Sequence, residues 1–370
     1  MAKAKSTKRG TSSSPYERPA KKNQAAAANV FKFTKDLGQH ILKNPGIADA
    51  IVQKAYLKPT DVVLEVGPGT GNLTVKILES ARKVIAVEMD PRMAAEVTKR
   101  VQGKPEHKRL EVVLGDVIKQ ETLPEFDVCI SNTPYQISSP LVFKLLRMPK
   151  PPRTCVLMFQ KEFALRLTAR PGDSLYCRLS VNVQFWAKIS HVLKVGRANF
   201  RPPPQVDSSV VRIEPKMGTE RPNIAFEEFD GLLRICFNRR NKTLRASWLA
   251  NKEVLKLVET NYRLYCAQND IPVDDSIAED ADNDNEMDVD DQDDEPSMDV
   301  DGGDDVPNFF AQKSEQGSKK PKTRLALLIK EKVRKCLEET ELAESRSSKL
   351  HENDFLRLLA AFNAEHIHFS

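Results

Sequence analysis

No apolar run in this 370-residue chain approaches the roughly 20 residues that a membrane-spanning helix requires, so no membrane is expected among its partners. Cysteine is sparse: six residues, at positions 129, 155, 177, 236, 266 and 336, with no C-x-x-C pair among them. No secretory signal stands ahead of them, so they are expected to be reduced thiols of an intracellular protein. Cys129, inside an apolar stretch, is expected to be a small core residue. Metal-ligand clusters are missing too. His366-Ile-His368 is a candidate pair, but no other ligands group with it, and a structured tail is the better reading; no metal is expected.

Positive charge is absent from residues 271–305, which hold 17 Asp or Glu and no Lys or Arg. The net charge of +5 is therefore misleading. With that block set aside, 57 basic residues face 35 acidic ones (the 52 of the whole chain less those 17), a balance of +22. Such a surface points to a polyanion, RNA or DNA first, with a merely dispersing Lys-rich coat as the plainer alternative. Residues 1–29 lack core-forming side chains, and positions 1–35 carry nine basic residues against one acid. A disordered basic arm is expected there: a nuclear address, an RNA-clinging tail, or simply a flexible terminus.

What the chain does have is a strand, a glycine turn and a helix in immediate succession. Val62, Val63, Leu64 and Val66 form an almost continuous apolar run, suited to a strand buried on both faces of a parallel sheet. The run breaks into Gly67-Pro-Gly69-Thr-Gly71, and Leu73, Ile77 and Leu78 follow at helical spacing. Such a turn lets backbone approach a ligand and aims the N–H groups of a helix start at it. The glycines alone are weak evidence, because Asn72 stands where the dinucleotide fingerprint needs a third glycine. A nucleoside ligand without pyrophosphate suits G-x-G-x-G; so does a turn needing glycine only for its dihedrals.

The following strands favour the ligand. Lys83–Met89 ends near Glu88, about 20 residues beyond the turn, where a carboxylate can accept from both ribose hydroxyls. Leu110–Leu114 leads to Gly115-Asp116, and FDVCIS leads to Asn132-Thr133-Pro134-Tyr135. Polar groups at successive strand ends describe one pocket on one sheet edge.

Strands near 62–66, 84–88, 111–114, 126–131 and 154–159 alternate with helical segments, which predicts a parallel, doubly wound α/β sheet. A helix carrying Ile47, Ile51, Val52, Ala55 and Tyr56 is expected to precede it and help close the pocket. Residues 161–187 read as helical around a Pro171-Gly172 break, with Arg166, Arg170 and Arg178 exposed. Residues 191–195 and 208–215 read as two further strands flanking FRPPPQVD, and Phe200 at the mouth of that loop could stack on a base or simply pack. From Phe226 the pattern is helical, with a basic face at Arg239, Arg240, Lys242 and Arg245. Residues 273–320 cannot bury a core and are expected to be an acidic, disordered insertion within this helical domain, whose pattern resumes at 323–338 and 351–363.

GQHIL (38–42), EVGPGTGN (65–72), VEMD (87–90), GD (115–116) and NTPYQISSP (132–140) together resemble the S-adenosylmethionine-dependent rRNA adenine dimethyltransferase family, in its eukaryotic small-subunit (18S) branch. QKEFALRL (160–167), NFRPPPQVDSSVV (199–211), FNRRNKTLR (237–245) and FNAEHIHFS (362–370) extend the likeness over roughly 30–272 and 322–370. The resemblance implies a Rossmann-like class I methyltransferase fold, a mostly parallel seven-stranded sheet over 30–220, and a small all-helical RNA-binding domain over 221–370. It implies that His40, Leu42, Gly67, Gly69, Glu88, Asp116 and Asn132 contact S-adenosylmethionine. Asn132, Pro134, Tyr135 and Phe200 would form the target-base site, and Arg239, Arg240, Lys242 and Arg245 would bind RNA. His40 stands where bacterial members usually carry Asn, and Thr133 where Leu is common; donor contact at 40 and backbone geometry at 133 are preserved.

The chemistry fits those residues. Adenine's exocyclic nitrogen is a poor nucleophile because its lone pair is delocalised into the ring. Acceptors on its hydrogens, the Asn132 side-chain oxygen and the Pro134 carbonyl, could aim that lone pair and stabilise the charge that develops. Tyr135 offers a stacking face, and the adenine must enter unstacked. The implied product is dimethyladenosine at two adjacent adenines near the 3′ end of small-subunit rRNA, formed on a pre-ribosomal particle in the nucleus and nucleolus, with cytoplasmic pre-ribosomes also allowed. Outside the particle a monomer is expected. The alternatives are a methyltransferase for DNA adenine or protein glutamine, and a protein acting mainly as a pre-rRNA-binding assembly factor.

Overall fold

The computed structural model describes residues 40–274, 276 and 323–369. The expected basic arm and nearly all of the expected acidic insertion lie outside them. Among the described residues, no helix is long and apolar enough to cross a membrane.

The main sheet has seven strands in the order β4-β3-β2-β5-β6-β9-β7. Five are parallel: β4 (Leu110–Leu114), β3 (Lys83–Glu88), β2 (Val62–Val66), β5 (Val128–Asn132) and β6 (Thr154–Gln160). Then β9 (Ser208–Pro215) runs antiparallel to both β6 and the edge strand β7 (Ala187–Val195), so the two further strands expected from sequence close the sheet as an antiparallel pair. Strand β7 starts at Ala187 rather than near 191, because its ladder with β9 reaches down to Ala187 opposite Pro215. The remaining strands form a small separate pair that sequence periodicity did not indicate: β1 (Ile41–Leu42) antiparallel to β8 (Phe200–Arg201).

The near-continuous apolar strands follow from burial on both faces. Val63, Val84, Val128 and Val156 point to one layer, with α1 (Pro45–Lys54) and α2 (Asn72–Ser80) over them. Leu64, Ile85, Cys129, Cys155 and Leu157 point to the other. Two helix starts are set locally: Asn44 caps α1, accepting from Gly46 N at 3.0 Å, and Asp90 caps α3 (Pro91–Val101), accepting from Arg92 N at 3.0 Å, each with proline in the first turn.

Strand β5 leads to α4 (Ser138–Arg147), and β6 to α5 (Lys161–Thr168) and α6 (Arg178–Trp186). The helical part comprises α7 (Phe226–Asn238), α8 (Leu244–Leu249), α9 (Lys252–Gln268), α10 (Arg324–Glu339) and α11 (Glu352–Ala364). One apolar core runs from the sheet into these helices. Its seam is aromatic: Phe185 stacks on Phe229 with ring centroids 4.0 Å apart, and Trp186 on Phe226 at 5.5 Å. The buried Asp230 gathers Arg178 at 2.9 Å, Asn182 at 2.8 Å and Arg234 at 3.0 Å. Arg178 was expected to be exposed; pairing with Asp230 across the α6–α7 seam draws it in, to 20% side-chain exposure.

The carboxyl tail is structured, as expected. Ile367 is fully buried, and Glu228 accepts from Phe369 N at 3.0 Å while its other oxygen lies 3.2 Å from His368 Nδ1. His366 stacks on Tyr265, with centroids 5.1 Å apart.

Candidate active site

The strand order reverses at β2, so the carboxyl ends of β2 and β5 diverge there and leave a crevice. A cavity of about 260 Å³ occupies it, lined from five segments: 40–42, 65–73, 87–93, 115–117 and 132–137. All the donor-site residues expected from sequence line it, as do Asn132, Pro134 and Tyr135.

The glycine turn is locked to its neighbours. Gly67 N donates to Val87 O at 2.9 Å, and Gly69 N donates to the Glu88 carboxylate at 3.1 Å. Gly67, Gly69 and Gly71 all have positive φ, of 65°, 55° and 78°. At Gly71 a Cβ would come within 2.6 Å of Val97 Cγ2, so this glycine also lets α3 pack against the turn. At Gly69 a Cβ would meet nothing within 4 Å. The second Glu88 oxygen accepts from Asp90 N at 3.0 Å. Burial foremost pushes the Glu88 carboxyl above its usual range, against the lowering effect of those backbone N–H donors. Each carboxylate oxygen keeps a second lone-pair direction, so both can accept a further hydrogen bond. Asp116 Oδ1 accepts from Ile118 N at 2.9 Å.

Asn72, the residue that breaks the dinucleotide fingerprint, has a definite function. Its Nδ2 donates to Leu42 O at 2.6 Å and so fastens β1 over the start of α2. His40 Nδ1 lies 3.0 Å from Pro202 O, and β1 pairs with β8. Residues 40–42 thus form a rim held from both sides.

At the end of β5, Asn132 Nδ2 donates to His40 O at 2.9 Å. The amide nitrogen is engaged in that bond, and the side-chain oxygen is the group left to accept. Thr133 is buried; its hydroxyl donates to Ser131 Oγ at 3.1 Å, which donates to Val66 O at 2.7 Å, tying the N-T-P-Y turn to β2. The Pro134 ring approaches the glycine turn so closely that a Cβ on Gly67 would lie 3.4 Å from Pro134 Cδ. The Pro134 carbonyl already accepts from Ile137 N at 3.1 Å, which leaves it one lone pair for an incoming donor. The Tyr135 and Ser208 hydroxyls share a hydrogen bond of 2.9 Å, and the Tyr135 ring lies 5.7 Å from that of His40.

Phe200 requires a correction. It was expected to offer a stacking face at the cavity mouth, but it is 2% exposed and does not line the cavity. Its pairing opposite Leu42 in the β1–β8 ladder turns the ring into the core beneath the rim. The basic residues of the helical part lie apart from the cavity. Arg240 Nη1 donates to Ser174 O at 3.1 Å and Tyr176 O at 3.2 Å, which makes it a clasp on the α5–α6 loop. Arg245 is exposed, with Glu344 at 3.9 Å.

Sequence reasoning missed Glu65. It lies within β2, is 1% exposed, lines the cavity and leaves Oε2 without a hydrogen-bond partner. Burial, abetted by the nearby Glu88 charge, raises its carboxyl to about 8. The signal was a lone acid inside an otherwise apolar strand.

A parallel sheet reversing at a glycine turn, closed by an antiparallel hairpin and bearing acids at consecutive strand ends, defines a class I S-adenosylmethionine-dependent methyltransferase. The crystal structure of 23S rRNA methyltransferase ErmE shares this fold, with a TM-score of 0.52 at 23% identity over 87% of this chain and 99% of that one. The family model for ribosomal RNA adenine dimethylase matches residues 30–269, and the chain belongs to that family. It is 60% identical to a dimethyladenosine transferase of Chaetomium thermophilum over 99% of each chain. It is 51% identical to the dimethyladenosine transferase of Saccharomyces cerevisiae over the whole of both. A crystal structure of a dimethyladenosine transferase from Plasmodium falciparum superposes with a TM-score of 0.68 at 41% identity, covering 90% of this chain and all of that one.

Proposed function

We propose that the chain transfers methyl groups from S-adenosylmethionine to the exocyclic nitrogen of adenines in small-subunit rRNA, giving dimethyladenosine at two adjacent adenines near the 3′ end. The observation that carries this is the engagement of Asn132 Nδ2 by His40 O, which leaves the side-chain oxygen as the acceptor at the cavity. The Arabidopsis thaliana relative, a ribosomal RNA small subunit methyltransferase 51% identical over 96% of this chain, supports the choice of subunit.

The cavity suits the methyl donor. Three acids line it, Glu65, Glu88 and Asp116, and this surplus of acceptors suits a donor that carries ribose hydroxyls and an adenine amine; Glu65 keeps a buried oxygen unpartnered. Glu88 would hold the ribose, Asp116 the adenine amine, and the Gly67–Gly69 turn the methionine portion. When bound, S-adenosylmethionine supplies an already activated methyl group. No proton need be removed in advance: as the N–CH3 bond forms the donor's S–CH3 bond breaks, a neutral thioether leaves, and the nitrogen then releases one proton to solvent. In the first transfer Asn132 Oδ1 and the second lone pair of the Pro134 carbonyl accept from the two amine hydrogens, aim the nitrogen lone pair and stabilise the positive charge as it develops; in the second transfer one N–H remains, for one of them. Tyr135 is the flat wall for the unstacked base. Exposed basic residues, Arg245 among them, would hold flanking phosphates. A monomer working on pre-ribosomal particles in the nucleus and nucleolus is consistent with this reading. DNA-adenine and glutamine methylation are not favoured, given full-length relatives named as dimethyladenosine transferases.

The test is methyl transfer to small-subunit precursor particles followed by nucleoside mass spectrometry. Dimethyladenosine in the small-subunit rRNA is the expected product. Its absence, with donor bound, would overturn the assignment.

A further inference from the structure

Tyr135 is a tyrosine where a base platform needs only a ring. A phenylalanine would present the same π-face, so the hydroxyl calls for its own explanation. It shares a 2.9 Å hydrogen bond with Ser208 Oγ, from a residue 73 positions away and 1% exposed. Ser208 is the first residue of β9 and is fixed by two ladders at once, opposite Gln160 of β6 and Val195 of β7. The preceding residue, Asp207, is anchored as well: its carbonyl accepts from Lys161 N at 2.9 Å and its carboxylate from Arg197 N at 3.0 Å. Tyr135, by contrast, stands in a single turn, Tyr135–Ile137, at the edge of the cavity. Its ring faces the rim at the tilted His40 ring, 5.7 Å away.

We propose that Ser208 is a positioning residue for methyl transfer, tethering the Tyr135 hydroxyl so that the ring stays upright as the wall against which the target base rests. The inference depends on Tyr135 being that wall. The same tether joins the base side of the cavity to the 196–207 loop, whose Pro202 carbonyl meets His40 on the donor side. One loop thereby sets both walls.

The experiment compares Ser208→Ala, Tyr135→Phe, the double variant, Ser208→Thr and Tyr135→Ala in single-turnover methylation of precursor particles, beside calorimetric S-adenosylmethionine affinity and melting temperature. A hydrogen bond of ordinary strength predicts a rate loss of roughly three- to tenfold for Ser208→Ala and for Tyr135→Phe. The double variant should be no slower than the worse single one, because both remove the same bond. Donor affinity should stay at the wild-type value, and Ser208→Thr, which keeps a hydroxyl, should recover most of the rate. Wild-type rates for Ser208→Ala and Tyr135→Phe, or losses that multiply in the double variant, would overturn the proposal. Should Ser208→Ala not fold, Tyr135→Phe breaks the bond from the other side and decides alone. Tyr135→Ala separates the two readings. If it is slow while Tyr135→Phe and Ser208→Ala are normal, only the tether is lost; if it too is normal, the platform is wrong.

Discussion

The side-chain amide of Asn132 donates to the backbone carbonyl of His40 at 2.9 Å, joining the last residue of β5 to the residue just before β1. That bond fixes which end of the amide is the acceptor, and it couples the target-base turn to the donor-side rim. Removing the side chain in Asn132→Ala takes away an acceptor that strengthens as charge develops on the target nitrogen. The single-turnover rate should fall by about 10²–10³, or roughly 2.7–4 kcal/mol. Donor affinity should fall only modestly, through the loosened His40 carbonyl. A folded, donor-bound variant within about threefold of the wild-type rate would sink the acceptor assignment.

Glu65 predicts an unusual pH dependence. In the fold its proton is held up to about 8, whereas an unfolded chain releases it near the ordinary 4.5. Between those values the native state binds the extra proton, so this group's contribution to stability is complete at low pH and is lost as pH rises towards 8. Glu65→Gln has no proton to lose. Relative to wild type without donor, it should gain about 3 kcal/mol of unfolding free energy between pH 5.5 and 8. Urea melts of both proteins across that range measure the difference; parallel profiles would show that Glu65 ionises freely.

A second stability prediction concerns the tail. Gly231, on α7, faces the backbone of Phe369, and a Cβ built there would collide with the Phe369 carbonyl. Because backbone rather than a flexible side-chain end is in the way, Gly231→Ala should displace the tail and cost about 1–3 kcal/mol. The Glu228 contacts to Phe369 N and His368 should go with it. Hydrogen exchange at Phe369 N, together with denaturant melts, checks this. Unchanged protection would mean that α7 yields instead.

The parts legible in sequence were those written in local pattern. Apolar runs gave five parallel strands, and the polar residues after them gave one cavity edge, because strand ends in a parallel sheet share a side. Glu65 escaped notice for the converse reason: a single acid inside an apolar run hardly disturbs the pattern that identifies the strand. Arg178 and Arg240 were read as surface cations because their partners are remote. Asp230 lies 52 residues from Arg178, and the carbonyls that receive Arg240 lie 66 and 64 residues away. Phe200 was misread since nothing local marks the two-residue ladder that turns it inward. Cations and rings have two plausible destinations, and only tertiary contacts choose between them.

The same distinction separates two arginines that stand five positions apart. Arg240 donates to the carbonyls of Ser174 and Tyr176, on the loop that also contacts the helical part through Gly172 N to Ser348 O at 2.7 Å and Tyr176 Oη to Leu350 O at 2.7 Å. Arg240→Ala leaves both carbonyls short of a charged donor and should lower stability by about 1–3 kcal/mol. Arg245 is exposed, and its distant ion pair with Glu344 contributes little. Arg245→Ala should leave stability within about 0.5 kcal/mol of wild type. If Arg245 neutralises an RNA phosphate, its loss should weaken binding to rRNA fragments evenly across sequences. It should also shrink the slope of log affinity against log salt by roughly 0.7–0.9. Salt titrations of RNA binding beside denaturant melts, for both variants, decide the matter. A stable Arg240→Ala protein with a reduced salt slope would return Arg240 to the RNA face; an Arg245→Ala protein with an unaltered slope would remove Arg245 from it.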